Sequence, residues 1–252
     1  MQERVAVILG PTATGKSKVG IALAQKLQGE IISGDSMLVH RRMNIGTAKP
    51  SEEELQSVPH HLVNILEPEE RYNVYQFQQQ AAKLITEING RGRLPIIVGG
   101  TGLYIQALLE KYEFSEDGKT TNKHPGEYDA KVFGLTMERS FLYERINRRV
   151  DRMLEQGLKE EVEALLAEGV SPDSQSMKSI GYRQMLWYLQ DGMPWDEMVD
   201  KLKQATRNFA KRQFTWYRHM DYIDWYCLDR KLDYDFVVKD IMKKLAIAYK
   251  MN

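Results

Sequence analysis

The sequence predicts an α/β fold, a parallel sheet flanked by helices with a helical C-terminal half, on three observations. The apolar run Val5-Ala6-Val7-Ile8-Leu9 leads straight into Gly10-Pro11-Thr12-Ala13-Thr14-Gly15-Lys16-Ser17, after which Ile21, Leu23, Ala24 and Leu27 recur at helical spacing. Short apolar runs bounded by Gly or Asp then alternate with helical patterns as far as Leu108, the signature of βαβ units. From Glu138 to Lys250 the apolar period is almost entirely helical.

Taken in order, the first run is a buried strand, and a helix is expected to begin at about Lys16. The eight residues between them match G-x-x-x-x-G-K-[ST], in which backbone amides and a helix N-terminus cradle phosphates. Gly10 and Gly15 allow backbone angles and close approach that a Cβ would obstruct. Thr12, Ala13 and Thr14 supply loop amides, Lys16 a point charge, and Ser17 a hydroxyl for Mg²⁺. The bland alternative is a chance glycine-rich turn, against which the strand and helix on either side argue. A polyphosphate or pyrophosphate ester is the expected ligand, ATP being the commonest one for the motif.

Glu30-Ile31-Ile32-Ser33 reads as a second strand ending at Gly34-Asp35-Ser36. A carboxylate at the C-terminal end of a strand in such a sheet lies where ligands bind. Asp35 has two readings there: it caps a turn or orders a magnesium-bound water, or it is a general base. Position alone leaves both open. Met43 to Pro50 has neither period and reads as a long surface loop. His60 to Leu66 reads as a short strand, Val74 to Asn89 as a helix, and Leu94 to Val98 as a buried strand running into Gly99-Gly100-Thr101-Gly102. Thr101 is placed as a helix N-cap, and the glycines around it point to close approach of another group. Leu103, Tyr104, Ala107 and Leu108 continue as a helix.

Tyr112 to Tyr128 is polar, contains Gly and Pro, lacks periodicity and reads as a linker. Lys131 to Thr136 returns as a strand. Helices follow through Leu142, Ile146, Val150 and Met153, then through Val162, Leu165 and Leu166, from about Ile180 to Leu189, and from Trp195 to about Arg218. Tyr222 to Leu228 is a last strand before a closing helix. The expected organisation is a first part of the core over 1–111, a linker over 112–129, and completion of the core with a basic helical part over 130–252.

With 252 residues and 42% apolar composition the chain is expected to be globular, and its net charge of zero confines any nucleic-acid surface to a local patch. One cysteine, Cys227, excludes an internal disulfide, and the five histidines show no metal-ligand spacing. The first strand begins within four residues of Met1 and no apolar run approaches the ~20 residues of a membrane span. The expectation is a cytoplasmic protein with no membrane partner.

Two basic clusters stand out. Arg145, Arg149 and Arg152 fall on one helical face, where like charges repel unless an anion lies nearby. Arg149, beside the buried Val150, is the one favoured to reach a phosphate. Between Lys201 and Arg218 lie Lys203, Arg207, Lys211 and Arg212 with no Asp or Glu, interleaved with Phe209, Phe214, Trp216 and Tyr217. Six unbalanced positive charges favour a polyanion such as nucleic acid over a merely solvated face, while the aromatics can equally be core.

These residues resemble the bacterial tRNA dimethylallyltransferases. The resemblance is carried by GPTATGKS (10–17), GDSMLVHRRMNIGTAKP (34–50), PHHLVNILEP (59–68), PIIVGGTGLYIQALL (95–109), LYERINRRVDRML (142–154), SIGYRQM (179–185) and RNFAKRQFTWYR (207–218), in the family's order and over nearly the whole chain. It implies a monomeric enzyme that moves a dimethylallyl group from dimethylallyl diphosphate to N6 of an adenine beside the anticodon of tRNA. It implies that the P-loop holds the diphosphate, with Asp35 as base and Arg149 on the leaving pyrophosphate. Asp35, Ser36, Met37, Leu38 and Thr101 match positions that meet tRNA in the family. Arg207, Lys211, Arg212 and Arg218 would then grip anticodon-stem phosphates. Asn44 and Asn64 stand where the family usually has Asp. Between Asp117 and Gly118 the sequence also lacks a helical insertion of the family that helps hold RNA. If the protein itself lacks that insertion, prenyl-diphosphate binding is expected to persist and tRNA affinity to fall.

The rival from another class is a small-molecule kinase with Asp35 as base, which leaves the basic aromatic stretch without a role. A P-loop ATPase would want an Asp after Leu94 to Val98, where Gly99 and Gly100 stand.

Overall fold

The structure is a computed structural model and describes residues 2–114, 120–122 and 126–250. In chain order, β1 (Arg4–Leu9), α1 (Lys16–Leu27), β2 (Glu30–Ser33), α2 (Glu52–Ser57), β3 (His60–His61), α3 (Val74–Gly90), β4 (Pro95–Gly99) and α4 (Gly102–Leu109) build the first part. A ribbon of β5 (Glu113–Phe114) and β6 (Thr120–Asn122) precedes β7 (Asp129–Met137). Then follow α5 (Arg139–Glu155), α6 (Leu158–Ala167), α7 (Tyr182–Leu189), α8 (Trp195–Tyr217), β8 (Ile223–Leu228) and α9 (Tyr234–Tyr249).

The main sheet has six strands in the order β3-β2-β4-β1-β7-β8, and every neighbouring pair is parallel. β1 explains how one strand serves two faces. Ala6 and Ile8 join the core under α1 and α9, while Val5, Val7 and Leu9 join the core under α3 and α4. Both faces are covered, so the strand reads as a continuous apolar run rather than an alternating one. A third core, built around Met43, Val150, Leu158, Met177, Tyr182, Met185 and Leu202, packs the C-terminal helices against the loop after β2.

Because all six strands point the same way, the segments leaving β1, β2 and β4 emerge on one edge. The order β2-β4-β1 sets Asp35, Thr101 and the glycine-rich loop side by side there.

The departures from expectation are local. The strand over 60–66 stops at His61, because Leu62 and Asn64 adopt φ of 60° and 55°, outside the extended region. The stretch 112–129 is not wholly a linker, since β5 and β6 pair antiparallel within it. The Asp117–Gly118 junction lies outside the described residues. The loop expected at 43–50 is present but is not a plain surface loop, since Met43 is buried in the third core and only Asn44 is exposed; an unexpected helix, α2, follows it. Ser51 and Glu54 form a reciprocal capping box there, but no residue of α2 is buried, so no apolar period announces it.

Candidate active site

The glycine-rich loop leaves β1 through Gly10 (φ +149°), turns at Ala13 (φ +67°) and enters α1 through Gly15 (φ +94°). A Cβ on Gly15 would come 2.5 Å from the Tyr234 ring, so both conformation and space demand glycine. Ala13, a residue with a Cβ, holds its left-handed angle because neighbours pin the backbone around it. Arg145 donates from Nε to the Ala13 carbonyl at 2.8 Å, and the Tyr234 hydroxyl donates to the Thr14 carbonyl at 3.1 Å. Within the loop, Thr14 Oγ1 and Lys16 Nζ both donate to the Pro11 carbonyl, at 2.8 and 2.9 Å.

Two residues of α8 tie this loop to the turn after β4. Gln213 accepts the Thr12 N–H at 2.9 Å and donates to the Gly100 carbonyl at 2.8 Å. The buried Tyr217 hydroxyl lies 3.2 Å from the Gly10 carbonyl and 2.8 Å from that of Gly100. The helix read from sequence as a nucleic-acid surface therefore also clamps the phosphate loop with its inner face. The turn itself is tight: a Cβ on Gly99 would meet the Gly34 carbonyl oxygen at 2.2 Å.

Asp35 caps its turn, its Oδ1 accepting the Met37 N–H at 2.8 Å, so the turn-cap reading is realised. The carboxylate still lines the site, which leaves the base reading intact. Thr101 stands at the N-cap of α4 but makes no side-chain cap; its Oγ1 instead accepts the Ser36 N–H at 3.1 Å. This corrects the plain N-cap assignment. The hydroxyl joins the segment after β2 to the segment after β4.

These groups converge on a cavity of about 410 Å³, lined by Thr12, Lys16, Ser17, Asp35, Thr101 and Arg149 among others. Met37, Val150, Met153, Ile180 and Leu202 give it an apolar wall, and Ser36, Leu38, Phe209 and Arg212 also line it. A second cavity of about 240 Å³ borders the same loop. Gly15, Lys16, Ser17, Lys49, Arg145, Arg149 and Arg152 line it, with Glu54 its one acidic residue. Lys16, Ser17 and Arg149 border both spaces.

The electrostatics are those of a site built for an anion. Loss of hydration lowers the Lys16 ammonium to about 8, with Arg149 pushing the same way and Asp35 opposing. Burial likewise lowers the Arg149 guanidinium, Asp35 opposes, and Arg152 and Arg145 add to the lowering. A nearby anion would oppose both shifts.

Of the outer basic residues, Lys211, Arg212 and Arg218 are exposed. Arg207 donates to Asn147 Oδ1 at 2.7 Å and Lys203 pairs with Asp151 at 2.6 Å, so the patch is narrower than the charge count implies. Sequence reasoning missed Gln213, Tyr217 and Tyr234, and it ranked Arg145 below Arg149. Tyr217 stands only among the aromatics open to a core reading and Tyr234 is not singled out, and nothing local distinguishes a tyrosine whose hydroxyl reaches a loop 207 or 220 positions away.

A parallel sheet with a phosphate loop after β1, a carboxylate after β2 and a glycine turn after β4, all facing one cavity, defines a P-loop α/β protein. Within that class the chain belongs to the IPP transferase family, whose model matches residues 38–125 and 113–220. It is 39% identical to a tRNA dimethylallyltransferase of Pelotomaculum thermopropionicum, over 96% of each chain, and 40% identical to one of Geobacillus kaustophilus, over 98% of this chain and 97% of the other. The crystal structure of the full-length tRNA isopentenylpyrophosphate transferase of Bacillus halodurans superposes with a TM-score of 0.87 at 38% identity, covering 99% of both chains. The Pelotomaculum alignment extends over 302 positions, more than the 252 residues of this chain, so that relative carries residues without a counterpart here. The two stretches matched by the family model meet at 113–125, around the Asp117–Gly118 junction.

Proposed function

We propose that this chain transfers a dimethylallyl group from dimethylallyl diphosphate to N6 of an adenine next to the anticodon of tRNA, releasing pyrophosphate. The observation that carries the reading is the shared cavity, with an anion-binding end at Lys16, Ser17 and Arg149 and a carboxylate, Asp35, facing it. The amine nitrogen attacks C1 of the prenyl group, a C–N bond forms, and the C–O bond breaks with its electron pair passing to pyrophosphate. Asp35 accepts the proton lost by the amine. Lys16, Arg149 and the loop amides stabilise the charge that develops on the bridging oxygen. The adenine must leave its stack to reach Asp35, between the Ser36–Leu38 segment and Thr101.

Mg²⁺ fits this donor set. The ion keeps several waters and takes one or two protein oxygens plus substrate phosphates, and the exposed Ser17 hydroxyl borders both cavities. Bound there, it would neutralise charge on the diphosphate. Lys211, Arg212 and Arg218 would meet RNA phosphates on the outer face of α8. No helix among the described residues is long and apolar enough to cross a membrane. A tRNA substrate supports a cytoplasmic location.

The test is incubation of the full chain with labelled dimethylallyl diphosphate, Mg²⁺ and an anticodon stem-loop carrying the adenine. Label on the RNA supports the reading. Phosphate transfer from ATP to a small molecule, with no prenyl transfer, would replace it with the kinase.

A further inference from the structure

Glu161 lies in the first turn of α6, away from the phosphate loop, yet its carboxylate is saturated by one loop of the site. Its Oε2 accepts the N–H groups of Asn44 and Ile45, both at 2.8 Å, and its Oε1 accepts that of Gly46 at 3.1 Å. The Tyr182 hydroxyl donates to the same Oε1 at 2.6 Å. Three successive amides aimed at one point form a concave anion site, and here a side chain of the protein fills it. The Tyr182 ring closes the other side, since a Cβ on Gly46 would come 2.4 Å from it.

The loop so held is part of the site. Gly46, Thr47 and Ala48 line the 410 Å³ cavity, where Ala48 packs in the same apolar cluster as Met37, Val150, Met153 and Leu202, and Ala48, Lys49 and Pro50 line the cationic space as well. Internal bonds stiffen it further, from Thr47 Oγ1 to the Met43 carbonyl at 2.7 Å and from the Lys49 N–H to the Asn44 carbonyl at 2.9 Å. A wall fixed in this way sets how much apolar chain the cavity accepts beside the reacting carbon.

We propose that Glu161 is a positioning residue: by gathering the amides of Asn44, Ile45 and Gly46 together with the Tyr182 hydroxyl, it fixes the 43–48 loop as the wall that limits prenyl chain length. The inference rests on the prenyl-transfer reading above. Glu161→Gln keeps the volume but turns an NH₂ group toward amides that themselves donate, so the loop loses part of its anchor. Tyr182→Phe removes one donor and leaves the three amides bound.

The experiment measures kcat and KM for dimethylallyl diphosphate and for geranyl diphosphate on an anticodon stem-loop, with wild type and both variants, and records their melting curves. For folded Glu161→Gln the expected result is a loss of about tenfold or more in the preference for the shorter donor, of the size a few misfitted methylenes produce. A KM for dimethylallyl diphosphate raised more than kcat is lowered is expected with it. Tyr182→Phe is expected to move both readings the same way by about two- to threefold, the scale of one modest hydrogen bond. Unchanged preference and KM in Glu161→Gln, or in Tyr182→Phe should the first variant not fold, would overturn the inference and leave Glu161 a purely structural anchor. A wild-type chain that transfers no prenyl group fails the proposed function itself and this inference with it.

Discussion

Raising the pH from 7 to 9 is expected to weaken binding of dimethylallyl diphosphate about tenfold, through Lys16. Enclosure brings its ammonium from 10.5 down to about 8. About nine in ten free molecules then carry the charge at pH 7, and about one in ten at pH 9. An anion beside the ammonium favours the charged form, so its pKa in the complex lies above that in the free protein. Between the two values binding takes up a proton. Affinity therefore holds below pH 8 and falls above it, by at most about a factor of ten per pH unit. Calorimetric titration at three pH values, in two buffers of different ionisation enthalpy, reads both the affinity and the proton uptake. Lys49 is also lowered to about 8 by burial, so Lys49→Gln is run beside the wild type. A slope that disappears in that variant assigns the proton to Lys49. Lys16→Arg, charged at every pH used, is expected to flatten the profile. A dissociation constant independent of pH between 7 and 9, with no proton uptake, would refute the reasoning, because either Lys16 stays charged or its charge does not hold the diphosphate.

Asp35→Asn keeps an acceptor for the Met37 N–H and removes the base; turnover should fall by about 10²–10⁴ while diphosphate affinity changes little, and residual activity near wild type would return Asp35 to a purely structural role. Arg149→Ala should lower kcat by about 10²–10³, read in single-turnover transfer; an effect confined to KM would mean that Arg149 binds ground state and transition state equally. Tyr217→Phe deletes the hydroxyl shared by the Gly10 and Gly100 carbonyls in a buried setting, and should cost about 1–3 kcal/mol in chemical unfolding. An unchanged unfolding midpoint there would show that the clamp on the phosphate loop adds nothing to stability.

What the sequence by itself determined was whatever depends on neighbours in the chain. Val5 to Leu9 followed by GPTATGKS specified strand, loop and helix, because a continuous apolar run, two glycines and a helical period are local properties. Alternation of such units implied a parallel sheet, and a parallel sheet places Asp35 and Thr101 at the same edge as the loop. The basic stretch before Arg218 was equally plain, since charge is counted without coordinates. Tertiary structure decided the rest. That Thr101 bonds Ser36 rather than its own helix depends on two strands lying side by side. That Arg207 and Lys203 are engaged by α5 while Lys211 and Arg212 are exposed depends on how α8 packs. Gln213, Tyr217, Arg145 and Tyr234 grip the phosphate loop from helices far along the chain, and Glu161 gathers amides more than a hundred positions away. Such contacts leave no periodicity in the sequence, because a hydrogen bond across the fold is set by where two backbones come to rest. The reactive groups were legible because they stand in or directly after local motifs, the glycine-rich loop and the ends of apolar strands; the groups that hold them in place were not, because in the sequence they look like ordinary core.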